Sequence, residues 1–500
     1  MKHYCLRIIC TLMVFFCLIA IAKGQNSLSN TIEGIKKGFN ERNNAILEPL
    51  LANQFSVVGG NGQEARASLR YFLNKYPFDQ IDYRISETIG DFTKLSFQVT
   101  LKNKEIKEMN VLLNSSYQVL YFDLADEMFG MKRNQISRLR AKIPFENHYG
   151  KIIIKLRINN YSKPLRFLFD TGADGMAINT ALAEEIGLKV TRKNDAAVVG
   201  GNMNIKVSDG NTIQIDTFSM QGMGIAIFDN VSKDADGLLG NAFLRRFITE
   251  IDYDHHEIRL YDFGKFEYKG TGYPVSVNVP NGLLLVPGKL NIVPNKVSEG
   301  NFVFDTGASY NVICFRNFVQ KHKLLVSGFV PKGQSTTVSM GMVTPTFTGI
   351  SDKFEIPGIP NEGKLPVTLM SGFMQSDKTL PHDGSIGIRL LSRYNLLINL
   401  QESKIYFSPN KLHALPEDFM VGPYILGWDN EEVLRIVGRS VGSVDPKLIQ
   451  EGTEIVSVNK LKAADLAKNK GKGLKKILSE DKAIKIQYKM GEELLIYEGK

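Results

Sequence analysis

The sequence predicts a mainly β protein built on two similar lobes, with an α+β domain before them and a small β domain after them. Two repeats carry the central pair. FLFDTGADGMAI at Phe167–Ile178 returns as FVFDTGASYNVI at Phe302–Ile313, and DGLLGNAFLRRFITEIDYDHHEIRLYD from Asp236 matches DGSIGIRLLSRYNLLINLQESKIYFSP from Asp383 without a gap. Gly237 answers Gly384, Gly240 answers Gly387, Arg246 pairs with Arg393, Ile251 with Ile398 and Ile258 with Ile405. A whole folding unit is therefore duplicated, not a signature alone. The third observation is the flanking pattern: helical periodicity giving way to alternating strands on one side, and short strand-like segments on the other.

In chain order, residues 1–24 open with Lys2 and Arg7, continue through an apolar stretch from Ile8 to Ala22, and end in small residues before Gln25. This is the pattern of a secretory signal peptide. An uncleaved anchor is the competing reading, disfavoured because the stretch is short for a span. Export to the periplasm or the cell surface is expected, with membrane contact only through this peptide if it is retained. Removing it leaves 58 basic against 52 acidic side chains, a net charge of +6 in place of +9. So mild an excess, without clustered arginines, reads as solvated lysines and not as a nucleic-acid surface. Cys5, Cys10 and Cys17 lie in the same segment, which leaves Cys314 alone and rules out an internal disulfide in the processed chain. Cys314 sits in an apolar run and reads as a small buried hydrophobe. His255 and His256 have no second ligand pair nearby, so neither a metal nor another cofactor is expected.

Residues 25–128 begin helical (IEGIKKGFNERNNAILEPLL), pass a second helical patch at Ala65–Lys75, and run into KLSFQVTL, EMNVLLN and YQVLYFDL. Helices packed on a curved antiparallel sheet account for that order. Residues 129–146 carry Lys132, Arg133, Arg138, Arg140 and Lys142 and read as a basic linker, either solvated or cut during activation. The two lobes are assigned to 147–268 and 269–412. After them, MVGPYILGW, EVLRIVGRSVGSVDPKLIQEGTEIVSVN, AIKIQYKM and ELLIYEG make a small β domain over 418–500.

The chemistry lies in the repeated phrase. Hydrolysing an amide with water needs one group to take a proton from the water and another to protonate the carbonyl oxygen. Two carboxylates about 3 Å apart can do both, because they cannot both ionise and so share one proton. Asp170 and Asp305, each at the end of an apolar strand, are the candidate pair. Gly172 and Gly307 lack a Cβ and allow two loops to approach closely, and the hydroxyls of Thr171 and Thr306 can lock them. The competing reading is a pair of structural turns in a barrel that no longer cleaves, a peptide-binding or scaffolding protein. Loss of activity usually replaces one of these six residues, and all six are present.

On these residues the stretch from about Lys151 to Pro409 resembles the aspartic proteases, and the alanine after DTG with Asp174 following is most similar to the retropepsin-like branch. The resemblance implies two closed β-barrel lobes of retropepsin or pepsin kind and an aspartic-type endopeptidase acting on polypeptide. It also implies an apolar-apolar-glycine element threading past each catalytic loop. Leu238, Leu239 and Gly240 fit that element in lobe one; Ser385, Ile386 and Gly387 fit it in lobe two, with serine in an apolar place. Asp174 should hold the substrate backbone, with Ser309 in its place in lobe two, and flap hairpins should cover the cleft. Gly200 and Gly201 suit one flap tip, Met340 and Gly341 the other. The N-terminal domain resembles the NTF2-like fold and reads as an accessory domain, with an inhibitory propeptide as the alternative. The phrase Gly442–Asn459 resembles a PDZ domain of bacterial proteases, which would take protein C-termini or extended peptides. Ile425, Leu426, Gly427 and Trp428 are the candidates for its carboxylate loop, with a core aromatic as the other reading of Trp428.

Overall fold

The computed structural model describes residues 27–198, 201–231, 234–360, 363–372, 382–440, 449–459, 461–468, 484–491 and 493–499. The expected signal peptide, Gly200 and residues 442–448 of the PDZ-like phrase lie outside the described residues. The chain divides into two units, one ending at Arg133 and one beginning at Asn134. Among the described residues no helix is long and apolar enough to cross a membrane.

In the first unit, the helix Leu28–Asn40 starts where the Ser27 hydroxyl accepts the Asn30 amide at 3.2 Å, an N-cap that satisfies one of the donors left over at a helix start. Its Ile32, Ile35 and Phe39 fall on one face and are buried. The helix Gly62–Lys75 does the same with Ala65, Leu69, Phe72 and Leu73. Both cover a four-stranded antiparallel meander, Phe78–Ile89, Phe92–Leu101, Ile106–Leu113 and Val119–Phe122. This is the α+β order the sequence predicts. Arg133, expected in a solvated linker, instead pairs with the fully buried Asp126 at 2.6 Å and lies over the Tyr121 ring. A buried carboxylate requires such a partner.

The second unit is mainly β, and the duplication read from the sequence is visible as matching strand order. Lobe one runs Arg192–Val198, Gly201–Ile215, Phe218–Phe228, Met176–Asn179, Gly237–Leu239, Leu165–Phe169, Lys151–Ile158 across its sheet. Lobe two runs Pro331–Ser339, Met342–Ile350, Pro366–Met370, Val312–Cys314, Gly384–Ile386, Val297–Phe304, Leu285–Asn291. Lobe one closes on itself where Ile158 pairs with Ile213. Asp236 and Asp383, at the head of the longer repeat, make equivalent contacts: their carboxylates accept the amides of Arg166 at 2.7 Å and Asn301 at 2.8 Å.

A six-stranded sheet joins the lobes, three strands from each. At its centre Ile248–Asp252 pairs antiparallel with Tyr394–Asn399, with Thr249 opposite Ile398, Glu250 opposite Leu397 and Ile251 opposite Leu396. Glu250 and Leu397 hold the same place in the repeat, so the local two-fold axis passes through that pair. The outer strand on the lobe-one side is Leu139–Pro144, bound to Glu257–Tyr261. Residues 139–148 are therefore strands, not a linker. Their alternation was masked by charge: Ile143 points into the core while Arg140 and Lys142 face outward toward Asp262 and Glu257, which suits the edge of a sheet.

The C-terminal segment folds as a three-stranded and a four-stranded sheet with a short helix, Ala463–Lys468. Ile425 to Trp428 lie on the strand Tyr424–Trp428, with Leu426 and Trp428 fully buried. The expectation of a carboxylate loop there is corrected: these residues form a strand, with Leu426 and Trp428 in the core of this segment and Ile425 half-buried. Gly427 leaves no room for a Cβ because Asp418 and Arg389 pack against it. Arg389, from the repeat that begins at Asp383, is held by Asp418 through two bonds of 2.9 and 2.7 Å and donates to the Trp428 carbonyl at 2.9 Å. Asn311 donates to the same carboxylate at 3.0 Å. The segment is thus tied by a buried ion pair to the back of lobe two. Side-chain exposure is 4% for Arg389 and 1% for Asp418, so Asp418→Ala leaves a buried guanidinium without its counter-charge. A loss of roughly 3–5 kcal/mol is expected, read from denaturant melts of the full chain; a loss below about 1 kcal/mol would show the pair is effectively solvated.

Candidate active site

Alternation along the strands sets the direction of each aspartate. Phe167 and Phe169 are buried inside lobe one, and Phe302 and Phe304 inside lobe two, so Leu168 with Asp170, and Val303 with Asp305, lie on the opposite faces. The amides of Asp170 and Asp305 each donate to the adjoining repeat strand, to Leu239 and Ile386 carbonyls at 3.0 Å. Both repeated phrases are therefore fixed by backbone before any side chain acts.

The loops then cross-link. The Thr171 amide donates to the Thr306 hydroxyl oxygen at 3.1 Å, and the Thr306 amide donates to that of Thr171 at 3.0 Å. Each hydroxyl proton crosses to the other lobe, Thr306 to the Phe169 carbonyl at 2.7 Å and Thr171 to the Phe304 carbonyl. Both threonines are fully buried, so these bonds have no water to replace them. Asn241, also buried, donates to the Thr171 carbonyl at 2.8 Å and the Gly282 carbonyl at 2.9 Å. It was missed in the sequence because lobe two has Ile388 in its place.

This grip seats each carboxylate over the other loop's glycine. A Cβ on Gly172 would stand 2.6 Å from the Asp305 carboxylate, and one on Gly307 would collide with that of Asp170. Any residue but glycine would push the pair apart. Asp170 Oδ1 accepts the Gly172 amide at 2.9 Å, and Asp305 Oδ1 the Gly307 amide at 3.0 Å. Loss of water raises the proton affinity of both. In Asp170 the negative charge of Asp305 adds to it and holds the group well above the usual carboxylate range. In Asp305 the rise is opposed by donors, Ser385 first.

Ser385 and Tyr310 are further site residues. The Ser385 hydroxyl donates to Asp305 Oδ2 at 3.1 Å, and the Tyr310 hydroxyl lies 3.5 Å from the same oxygen. Burial and the nearby Asp305 charge push the Tyr310 phenol well up, so it stays neutral. The signal for Ser385 was its departure from the apolar pattern; nothing in the sequence marked Tyr310.

The other expected residues are placed as follows. Asp174, 55% exposed, is ion-paired with Arg245, a residue the sequence reading did not single out. Ser309 is exposed. Met340 and Gly341 form the two-residue tip of the hairpin Pro331–Ser339 and Met342–Ile350, both with positive φ, 48° and 88°, as a tight hairpin turn requires. Gly201 opens a strand of the lobe-one hairpin, and the Met342 methyl lies 2.5 Å from where a Cβ on it would stand. Two hairpins therefore meet, one from each lobe. Met340 packs on an apolar patch of lobe one that includes Ile153, Leu168, Ala177 and Leu238, the face that carries Asp170. Cys314 is buried, and among the described residues no group of three or more His, Cys, Asp or Glu is gathered to hold a metal.

Residues 154–243 match the family model Asp_protease_2, described as aspartyl protease. They span the Asp170–Gly172 loop, the hairpin of Gly201–Ile215 and Phe218–Phe228, and the Gly237–Leu239 strand. No curated protein matches the chain significantly. Among solved structures, the aspartic proteinase from Irpex lacteus is similar at 12% identity and a TM-score of 0.36, over 55% of this chain and 98% of that one. The family match supports a protease-type function.

A site built this way strains the fold at neutral pH. Because the folded proton affinity of Asp170 is raised, the stability linked to its proton is full below the ordinary carboxylate pKa and is lost as pH rises through the raised value. Asp170→Asn removes that loss. The variant is expected to melt a few degrees above wild type near neutral pH, on the order of 2 °C per kcal/mol, with the gap closing in acid. Thermal melts across that range check this; a gap independent of pH would refute it.

Proposed function

We propose that the chain is an exported aspartic-type endopeptidase that cleaves extended polypeptide held between two flaps. The single observation that carries this reading is the reciprocal seating of Asp170 and Asp305 over each other's glycine. In the proposed reaction, one aspartate takes a proton from a water whose oxygen bonds to the scissile carbonyl carbon, while the other gives its proton to the carbonyl oxygen. In the collapse, the carbon–nitrogen bond breaks, the amine takes the proton drawn from water, and a hydroxyl of the intermediate returns one to the second aspartate. Protons balance and no covalent intermediate forms.

Substrate backbone would pair with the flap strands, with Asp174 and Ser309 at unlike ends of the cleft. The apolar patch around Leu168, Ala177 and Leu238 would take a hydrophobic side chain in place of Met340. Residues 1–24 support export. The C-terminal segment, of PDZ-like sequence, would receive extended peptides or protein C-termini along a sheet edge and not at 425–428. The N-terminal unit would serve as an accessory domain.

The test is a quenched-peptide library at acidic to neutral pH with wild type, Asp170→Asn and Asp305→Asn. Wild-type turnover is expected, favouring hydrophobic residues at the cut, with each variant reduced by roughly 10²- to 10⁴-fold or more. Binding without turnover by wild type would favour the scaffolding reading.

A further inference from the structure

The duplication makes the two halves of the site comparable position by position, and at one position they differ in chemistry. Leu238 pairs with Leu168 and Ala177 in lobe one; Ser385 pairs with Val303 and Ile313 in lobe two. The two residues occupy the same register on the strand beside the catalytic aspartate. One is a hydrocarbon, the other a hydroxyl donating to Asp305 Oδ2 at 3.1 Å. Ser385 is 1% exposed, so its bond to Asp305 is sheltered from competing water. An otherwise near-symmetric dyad has no preference for where its proton sits. This hydroxyl provides one.

We infer that Ser385 is a positioning residue that assigns the dyad's roles: it holds Asp305 as the ionised partner that draws the proton from water, and leaves the shared proton on Asp170 as the acid. The inference rests on the dyad reading proposed above and adds the distribution of the proton to it. A hydrogen bond donated to the charged form of a carboxylate favours that form. Asp305 has the Gly307 amide on one oxygen and Ser385 on the other, with the Ala308 amide as a further backbone donor, whereas Asp170 has the Gly172 amide and, at the place of Ser385, a leucine. The groups facing Asp305 are Asp170 across the axis and Tyr310 on its own loop, with Lys151 acting on Asp170 from the neighbouring strand. Tyr310 stays neutral, keeps its proton and, at 3.5 Å from the same oxygen, adds a longer donor that acts in the same sense as Ser385.

Removing the donor makes the first ionisation of the pair harder, so the acid limb of kcat/KM moves toward neutral pH. The full chain is compared as wild type, Ser385→Ala and Ser385→Thr on a peptide that wild type cleaves. The alanine variant is expected to shift the acid limb upward by roughly one pH unit, the scale of one hydrogen bond to a charged carboxylate, and the threonine variant to restore it. An unmoved limb in Ser385→Ala overturns the inference, as does a shift that threonine fails to reverse. A second measurement does not need turnover: carboxyl-carbon NMR titration of labelled aspartate should show Asp305 ionising first in wild type and losing that precedence in Ser385→Ala. If Asp170 ionises first in wild type, the inference fails even where the enzyme is active. Absence of turnover with Asp305 ionising first as described would instead count against the protease reading alone.

Discussion

Two buried hydroxyls that can be satisfied only from the opposite lobe are the constraint on which the site depends. Thr171 and Thr306 have no exposure to water, and each finds its donor and acceptor across the axis. Separating the lobes would orphan four polar groups at once, each costing about 1–3 kcal/mol. The carboxylates are carried with the loops. Their mutual repulsion, which would open an unbraced cleft, is borne by these bonds and by the strands behind them.

Near-symmetry brings the two carboxylates together, and departures from symmetry distinguish the lobes. Ser385 faces Leu238, Ile388 faces Asn241, and Arg389 faces Ala242 across the repeat. Each substitution gives one lobe a task the other lacks: a donor for Asp305, a brace for the first loop, an anchor for the C-terminal segment. That segment is therefore bound into lobe two through Asp418, not appended to it. The flaps show the same division, since the tip of the second hairpin rests on the apolar face of the first lobe.

Much of this was legible in the sequence because duplication doubles every signal. The repeated phrase located Asp170, Thr171, Gly172, Asp305, Thr306 and Gly307, and the gapless second repeat anticipated the matched strand orders. What stayed hidden depends on contacts between distant segments. The strand Leu139–Pro144 looked like a linker because its outward Arg140 and Lys142 obscured a short alternation. Ile425–Trp428 was expected as a loop through the PDZ resemblance, whereas the glycine there makes room for the Arg389–Asp418 pair packed against it. Tyr310, Asn241 and Arg245 reach their places through tertiary geometry alone, which no spacing announces.

The pair at the centre of the joining sheet has a further consequence. Glu250 sits opposite Leu397, and its carboxylate is taken by Arg259 at 3.0 Å and Tyr261 at 2.9 Å. Were lobe one to meet another copy of itself in the same register, glutamate would confront glutamate on the axis, an arrangement like charges disfavour. A mismatch of one residue thus disfavours a seam between two copies of the first lobe and leaves the seam between unlike halves free of that repulsion.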